Sequence, residues 1–412
     1  MAITDKEQGV WILDEVYNKQ MEGDIWSYTG AQGLYMSGPN RYGRLGLNEP
    51  GGSSATKYSS PTQVGSDTNW FEGSFGDGNH VSAMAQKTDG SVWSWGDSGT
   101  WGASGRNVRG AGGPANRSSP VQIFAGPGAV GSLASSGYKN AMYRKSNGEL
   151  WAWGQGNLGQ LGQNDRINRS SPVQVGTDTT WSNNIWSGGY NAMAVKTDGT
   201  LWTWGANHTP DYQGVLGQGN TTRYSSPTQV GTDTTWATEK NKGCSGTADM
   251  ACIKTDGTLW TWGKNRDGVL GHNNETSYSS PRQVPGSYSK VTIGTGGQCG
   301  VIKTDGTLWA WGGNTYGNLG QNNRTKYSSP RQIGTDTDWA KIFGQGPYGA
   351  SALAAIKTDK TLYAWGQQAV AGVPNGILGH NDGVRYSSPV QIPGTWKHAS
   401  IGQYLAGYIS EL

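Results

Sequence analysis

The chain has 412 residues and a formal net charge of +3, with 67 glycines, 20 tryptophans and only four phenylalanines. So small a charge argues against a nucleic-acid partner, and no apolar run reaches the ~18–20 residues of a membrane-spanning helix. Three cysteines, Cys244, Cys252 and Cys299, build no disulfide framework and suit a reducing compartment, and no secretory signal opens the chain.

Residues 1–32 are expected to form an attachment arm, separate from a domain over residues 33–412. Asp5, Glu7, Asp14, Glu15, Glu22 and Asp24 against Lys6 and Lys19 make the arm −4 and leave +7 for the remainder. Thr4-Asp5-Lys6-Glu7 reads as a capping box, and Val10, Leu13, Tyr17 and Met21 follow at helical spacing. Gly9 weakens that helix. So short a stripe is not stable alone, so the arm is predicted to be partly helical and to dock on another protein or a second copy of the chain. Its expected buried anchors are Trp11, Leu13, Val16, Tyr17 and Trp26, since aromatic residues are enriched at interface hot spots. The wording GVWILDEVYNKQMEGDIW resembles the opening segment of structural proteins in tailed bacteriophages. The resemblance covers about 25 residues and implies a virion protein made in host cytoplasm.

From Leu34 onward a phrase recurs in seven units: KTDGTLWTWG, a glycine-rich turn ending in LG, then SSPxQVG. The degenerate first copy is Leu34-Tyr35-Met36-Ser37-Gly38; the full form is seen at Leu201-Trp202-Thr203-Trp204-Gly205 and Leu259-Trp260-Thr261-Trp262-Gly263. A period of roughly 50–60 residues carrying strand-like segments predicts a β-propeller. In the fourth unit, residues 191–195 and 200–204 are expected to pair as the inner hairpin of a blade, around a Lys196-Thr197-Asp198-Gly199 turn in which Gly199 takes positive φ. Thr228-Gln229-Val230 and the stretch around Trp236 are expected to supply the outer strands. Eleven tryptophans lie in the columns of the phrase, and Trp70, Trp181, Trp236, Trp339 and Trp396 close the preceding loop. The columns read as core, because a buried aromatic dominates packing energetics. Trp11, Trp26, Trp101 and Trp186 stand outside the pattern.

The ends are complementary. Trp396 to Ile409 is half a hairpin without a TDG turn, and the first unit lacks the preceding strand. Together they are expected to form one shared blade, which removes free sheet edges. The order of the motifs, with His80-Val81-Ser82-Ala83-Met84 first and Gly159-Gln160-Leu161-Gly162 third, resembles the regulator of chromosome condensation repeat family. That resemblance covers residues 33–412 and implies a seven-bladed, all-β propeller. It leaves function open, because this scaffold hosts nucleotide exchange, enzyme inhibition and partner docking alike.

Chemistry is sparse. His272 and His380 replace Gln163, Gln218 and Gln321 at one repeat position, and the aspartates are periodic turn or loop residues. P-loop, GxSxG and dinucleotide motifs are missing, so neither catalysis nor a cofactor is expected. The Asp-Thr loops lack the spacing of a calcium loop, which leaves calcium open there. Lys57, Arg117, Arg169, Arg223, Lys326 and Arg385 precede the Ser-Ser-Pro elements and could form a ring facing an anionic partner or be solvated loop charges. The WG-to-LG loop is expanded in three units, at 97–116, 206–215 and 367–377. Insertions at equivalent repeat positions emerge on one face, often the binding face, so Trp101, Arg106, Arg109, His208 and Tyr212 are the candidate contacts. The expected partners are proteins: other virion components and a host-surface receptor, with a bacterial interaction propeller lacking any virion role as the alternative.

Overall fold

A computed structural model describes residues 32–49, 56–75, 82–96, 116–126, 131–135, 140–208, 214–246, 248–294, 296–344, 352–367, 369–370, 373–374, 377–382, 384–401 and 406–411. Seven four-stranded antiparallel sheets follow one another as blades, with a two-residue hairpin pair, Ala369–Val370 with Val373–Pro374, beside the last. The fourth blade shows the pattern: Trp181–Ser187, Asn191–Lys196, Leu201–Gly205 and Tyr224–Gln229, paired in that order. Its turn holds as the residue types require. Gly199 sits at φ +79, and a Cβ there would lie 2.0 Å from Thr234 O.

The tryptophan-led segments correct the expected strand order. Strands beginning at Trp70, Trp181, Trp339 and Trp396 are the innermost of their blades, pack on the innermost strands of the neighbouring blades around the axis, and belong to the unit that follows them. Trp236 likewise bridges Lys254 of the fifth blade. The pair at 191–196 and 201–205 is therefore the middle of the blade. The Ser-Ser-Pro strand is the outer edge, where a missing N–H costs no ladder bond, and its register shifts beside the proline.

The second tryptophan of each phrase is fully buried and stitches blades together. The indole N–H of Trp204 donates to Gln160 O (3.0 Å), Trp262 to Val215 O (2.9 Å), Trp311 to Val269 O (2.7 Å) and Trp365 to Asn318 O (3.1 Å), each in the loop of the preceding blade. Each bond satisfies a buried donor while the ring fills the space between sheets.

Closure occurs as the half-hairpins predict. Leu34–Pro39 pairs with Ala406–Ser410, Leu34 opposite Ile409 and Ser37 opposite Ala406, and the sheet runs Lys57–Gln63, Leu34–Pro39, Ala406–Ser410, Trp396–Ile401. The degenerate first copy has Ser37 where the others carry the second tryptophan. Tyr408 fills that gap from the neighbouring strand: its hydroxyl lies 3.1 Å from Ser37 Oγ and donates to Ile377 O at 3.3 Å.

Candidate functional site

The blades define two faces. Every KTDG turn lies at the same end as the preceding Trp-led loop: Thr197 N donates to Thr180 O, and Thr255 N to Thr235 O, both at 2.8 Å. The WG-to-LG loops leave from the opposite ends of the same strands, after Gly96, Gly205 and Gly366. The chain enters on the turn face, where Gln32 bridges Asn69 and Gln32 O accepts from Trp70 N at 3.0 Å. The arm thus joins on one face and the expanded loops rise from the other.

Of the candidate contacts, His208 alone falls among the described residues. It is exposed on the loop face, with Arg223 Nη2 3.1 Å from its Nδ1 and closer to Nε2. Burial, then Arg223 and Arg166, holds its imidazole below the usual histidine value, favouring the neutral ring. Trp101, Arg106, Arg109 and Tyr212, and the arm residues Trp11, Leu13, Val16, Tyr17 and Trp26, lie outside the described residues, as do His80 and the segment expected to be helical.

The turn face carries a repeated charged device that the sequence reading missed. Lys196 Nζ sits 4.1 Å from the Trp202 ring and 5.2 Å from Trp181, and pairs with Asp178 at 2.6 Å. Lys254 repeats this with Trp260 at 4.2 Å, Trp236 at 5.1 Å and Asp233. Lys87 and Lys357 do the same with Asp67 and Asp336. Each cation lies over aromatic faces, where attraction reaches about 0.5–2 kcal/mol. The Asp-Thr loops thus direct carboxylates at lysines, and Asp233 Oδ1 also accepts from Thr235 N and Oγ1. Partial burial opposes ionisation of Asp233, yet the bonds from Lys254 and Thr235 outweigh it and bring the group to about 2. Among the described residues no group of three or more His, Cys, Asp or Glu is arranged to hold a metal.

Of the cations before the Ser-Ser-Pro elements, Arg169, Arg223, Lys326 and Arg385 are engaged locally. Arg169 pairs with Asp165, Lys326 with Asp267 and Glu275, and Arg385 lies 5.2 Å over Tyr316. His380 Nε2 donates to Val390 O (3.0 Å), as Gln218 donates to Thr228 O (3.1 Å), which accounts for the histidine-for-glutamine exchange at 380 by a shared backbone contact.

A ring of side chains surrounds the axis two residues inside the turn face. Pairing registers place Glu72, Ser132, Lys290, Lys341 and His398 at one level, opposite Gln86, Arg144, Ile302, Ile356 and Ile409. Lys242 holds this level in the fifth blade, where its carbonyl accepts from Ile253 N. Most members bond to the backbone of the next blade. His398 Nε2 meets Gly73 O at 2.7 Å, Leu133 N donates to Glu72 Oε1 at 2.9 Å, and Ser132 Oγ donates to Asn183 O at 3.0 Å. Asn184 Nδ2 donates to Ala237 O at 2.8 Å and Lys341 Nζ to Lys397 O at 2.6 Å. Lys242 and Lys290 make no such bond. The turn 239–242 in the fifth blade pushes Lys240 across the axis onto Glu72 of the second blade. Beside this pair lies a cavity of about 30 Å³ lined by six of the innermost strands, including Trp186, Thr292 and His398, and by Lys240 and Asn241 of the fifth blade's turn. Trp186, outside the repeat pattern in sequence, is therefore an axial core residue, only 7% exposed.

These features define a closed repeat propeller, with the expanded loops attached at one face and its entering chain at the other. Residues 147–195, 256–302 and 305–344 match the Regulator of chromosome condensation (RCC1) repeat, and these parts of the chain are similar to that family. It is similar to the human E3 ubiquitin-protein ligase HERC2, 28% identical over 285 residues that cover 67% of this chain and 6% of HERC2. The Ultraviolet-B receptor UVR8 of Arabidopsis thaliana is 26% identical over 186 residues, covering 45% of this chain and 41% of the receptor. The chain therefore spans well under half of either relative. Among solved structures, Prp20p of Saccharomyces cerevisiae, described with its binding to Gsp1p and histones, superposes with a TM-score of 0.75 at 15% identity, covering 99% of this chain and 97% of Prp20p. That likeness is one of fold.

Proposed function

We propose that this chain is a non-enzymatic docking and display propeller, and that it serves as a bacteriophage virion structural protein held by its N-terminal arm. Its place would be that of a fibre, decoration or receptor-binding module. The observation that carries this reading is the separation of faces: the chain enters at Gln32 on the turn face, while the loops after Gly96, Gly205 and Gly366 rise from the opposite one. A module anchored by one face presents the other outward. The phage-like wording of residues 1–32 supports the virion assignment, and the binding of Gsp1p and histones by Prp20p supports protein docking as the use of such a fold.

Mass spectrometry of purified virions from the phage encoding the chain is expected to find it as a structural component; its absence sinks the virion reading and leaves a bacterial interaction propeller. For the display face, alanine at Trp101, His208 and Tyr212 together is expected to leave the melting temperature unchanged while weakening host-surface binding roughly tenfold or more, as loss of interface anchors does. Normal binding by that variant places recognition elsewhere.

A further inference from the structure

Charge around the axis of the turn face is out of balance. Lys240, Lys242, Lys290, Lys341, Lys360 and Lys397 face Glu72, Glu239 and Glu411. Lys240 is spent on Glu72, and Lys360 lies 3.7 Å from Glu411. Lys242, Lys290 and Lys341 stand at one level on three successive blades. All three are half-buried, and Lys242 and Lys290 have no ion-pair or hydrogen-bond partner among the described residues. Burial first, then the neighbouring ammonium groups Lys242 and Lys360, pulls Lys290 and Lys341 respectively below the ordinary lysine value. Like charges held together at a partly dehydrated surface call for an anion.

The chain itself delivers one. Residues 1–32 carry −4, and the rest of the chain +7. They join the propeller at this mouth: with its amide turned to satisfy both ends, Gln32 accepts from Lys397 Nζ at 2.9 Å and donates to Trp70 O at 2.7 Å. Asp24 and Glu22 lie eight and ten residues upstream. An extended chain covers about 3.3–3.6 Å per residue, so both carboxylates reach across the axis. A tethered ligand also acts at an effective concentration of order millimolar.

We propose that the axial mouth over the fifth to seventh blades is a docking site for an acidic peptide segment, and that the segment it holds is residues 1–31 of the same molecule. Its carboxylates neutralise Lys242, Lys290 and Lys341, while its apolar side chains stay available to an outside partner. This docking does not depend on a virion role.

Zero-length carbodiimide cross-linking of the full chain at low concentration, mapped by mass spectrometry, tests it. Links from Glu22 and Asp24 to Lys242, Lys290, Lys341 or Lys397 are expected within one copy, as shown with a mixture of isotope-labelled and unlabelled protein. In the Lys242→Glu/Lys290→Glu variant, links to the unaltered Lys341 and Lys397 should fall roughly fivefold, with thermal melting confirming the fold. In 1 M salt, where screening acts within about 3 Å, they should fall likewise. Links that spread equally to Lys57 and Lys326, form only between copies, or persist in the charge-reversed variant overturn the proposal. So does their absence.

Discussion

At Lys254 one ammonium group meets two indole faces and a carboxylate, so a residue that looks like a solvated turn charge is part of the packing. The opposite case is His398, whose ring faces the axial cavity. Burial, followed by the repulsion of Lys240, pushes it down to about 4. The unfolded chain takes up a proton near the ordinary histidine value of about 6.5, while the folded one resists until about pH 4. Its contribution to stability is therefore full above pH 6.5 and is lost progressively as pH falls towards 4. The loss is on the order of 3 kcal/mol. Urea denaturation at several pH values is expected to show this decline, and His398→Gln should flatten it. An unchanged slope in the variant would assign the decline to the carboxylates.

At the scale of the blade, the turn glycines carry unequal burdens although all take positive φ. Gly176 stands at φ +61 with nothing within 4 Å of an added Cβ, whereas Gly199 at φ +79 would place that atom 2.0 Å from Thr234 O. Alanine at 176 should cost about 1–2 kcal/mol, the conformational penalty alone. Alanine at 199 adds a backbone collision and should cost more than about 3 kcal/mol. Equal urea midpoints for the two variants would contradict this. The TDG turn and its flanking strands were readable because glycine placement and alternation are local. The place of the Trp236 stretch was not, since a repeat's phase does not say which sheet a strand joins. The stacked Lys254 and the axial lysines escaped for a related reason: Trp236 and Trp260, or Lys242 and Lys290, meet only once the sheets are arranged in space.

For the whole molecule, the shared blade is the decisive element. Its two complementary halves were legible at the chain ends, but the exchange of a tryptophan for Tyr408 was not, because Ser37 and Tyr408 are 371 residues apart. Deleting residues 406–412 removes the strand between Leu34–Pro39 and Trp396–Ile401 and exposes two unpaired edges, which invite edge-to-edge pairing. The truncated chain is expected to form oligomers on size-exclusion chromatography and to lose its single sharp urea transition. A monomeric, cooperatively unfolding truncation would mean that the ring does not need this strand. Of the functional site, the expanded loops could be placed on one face from the repeat alone, while the axial mouth could not, because it is assembled from unlike residues at one level of several blades.

The shared blade also sets a schedule for biosynthesis. Gly33 N bonds to Ser410 Oγ across 377 residues, so Leu34–Pro39 leaves the ribosome long before the strand that completes it, Ala406–Ser410. At about 5–20 residues per second, that gap amounts to roughly 20–75 s. Through that interval Leu34–Pro39 has Lys57–Gln63 on one side and an open backbone on the other. The nascent chain must therefore survive as an unfinished arc, and its yield in cells should depend on translation speed and chaperone supply.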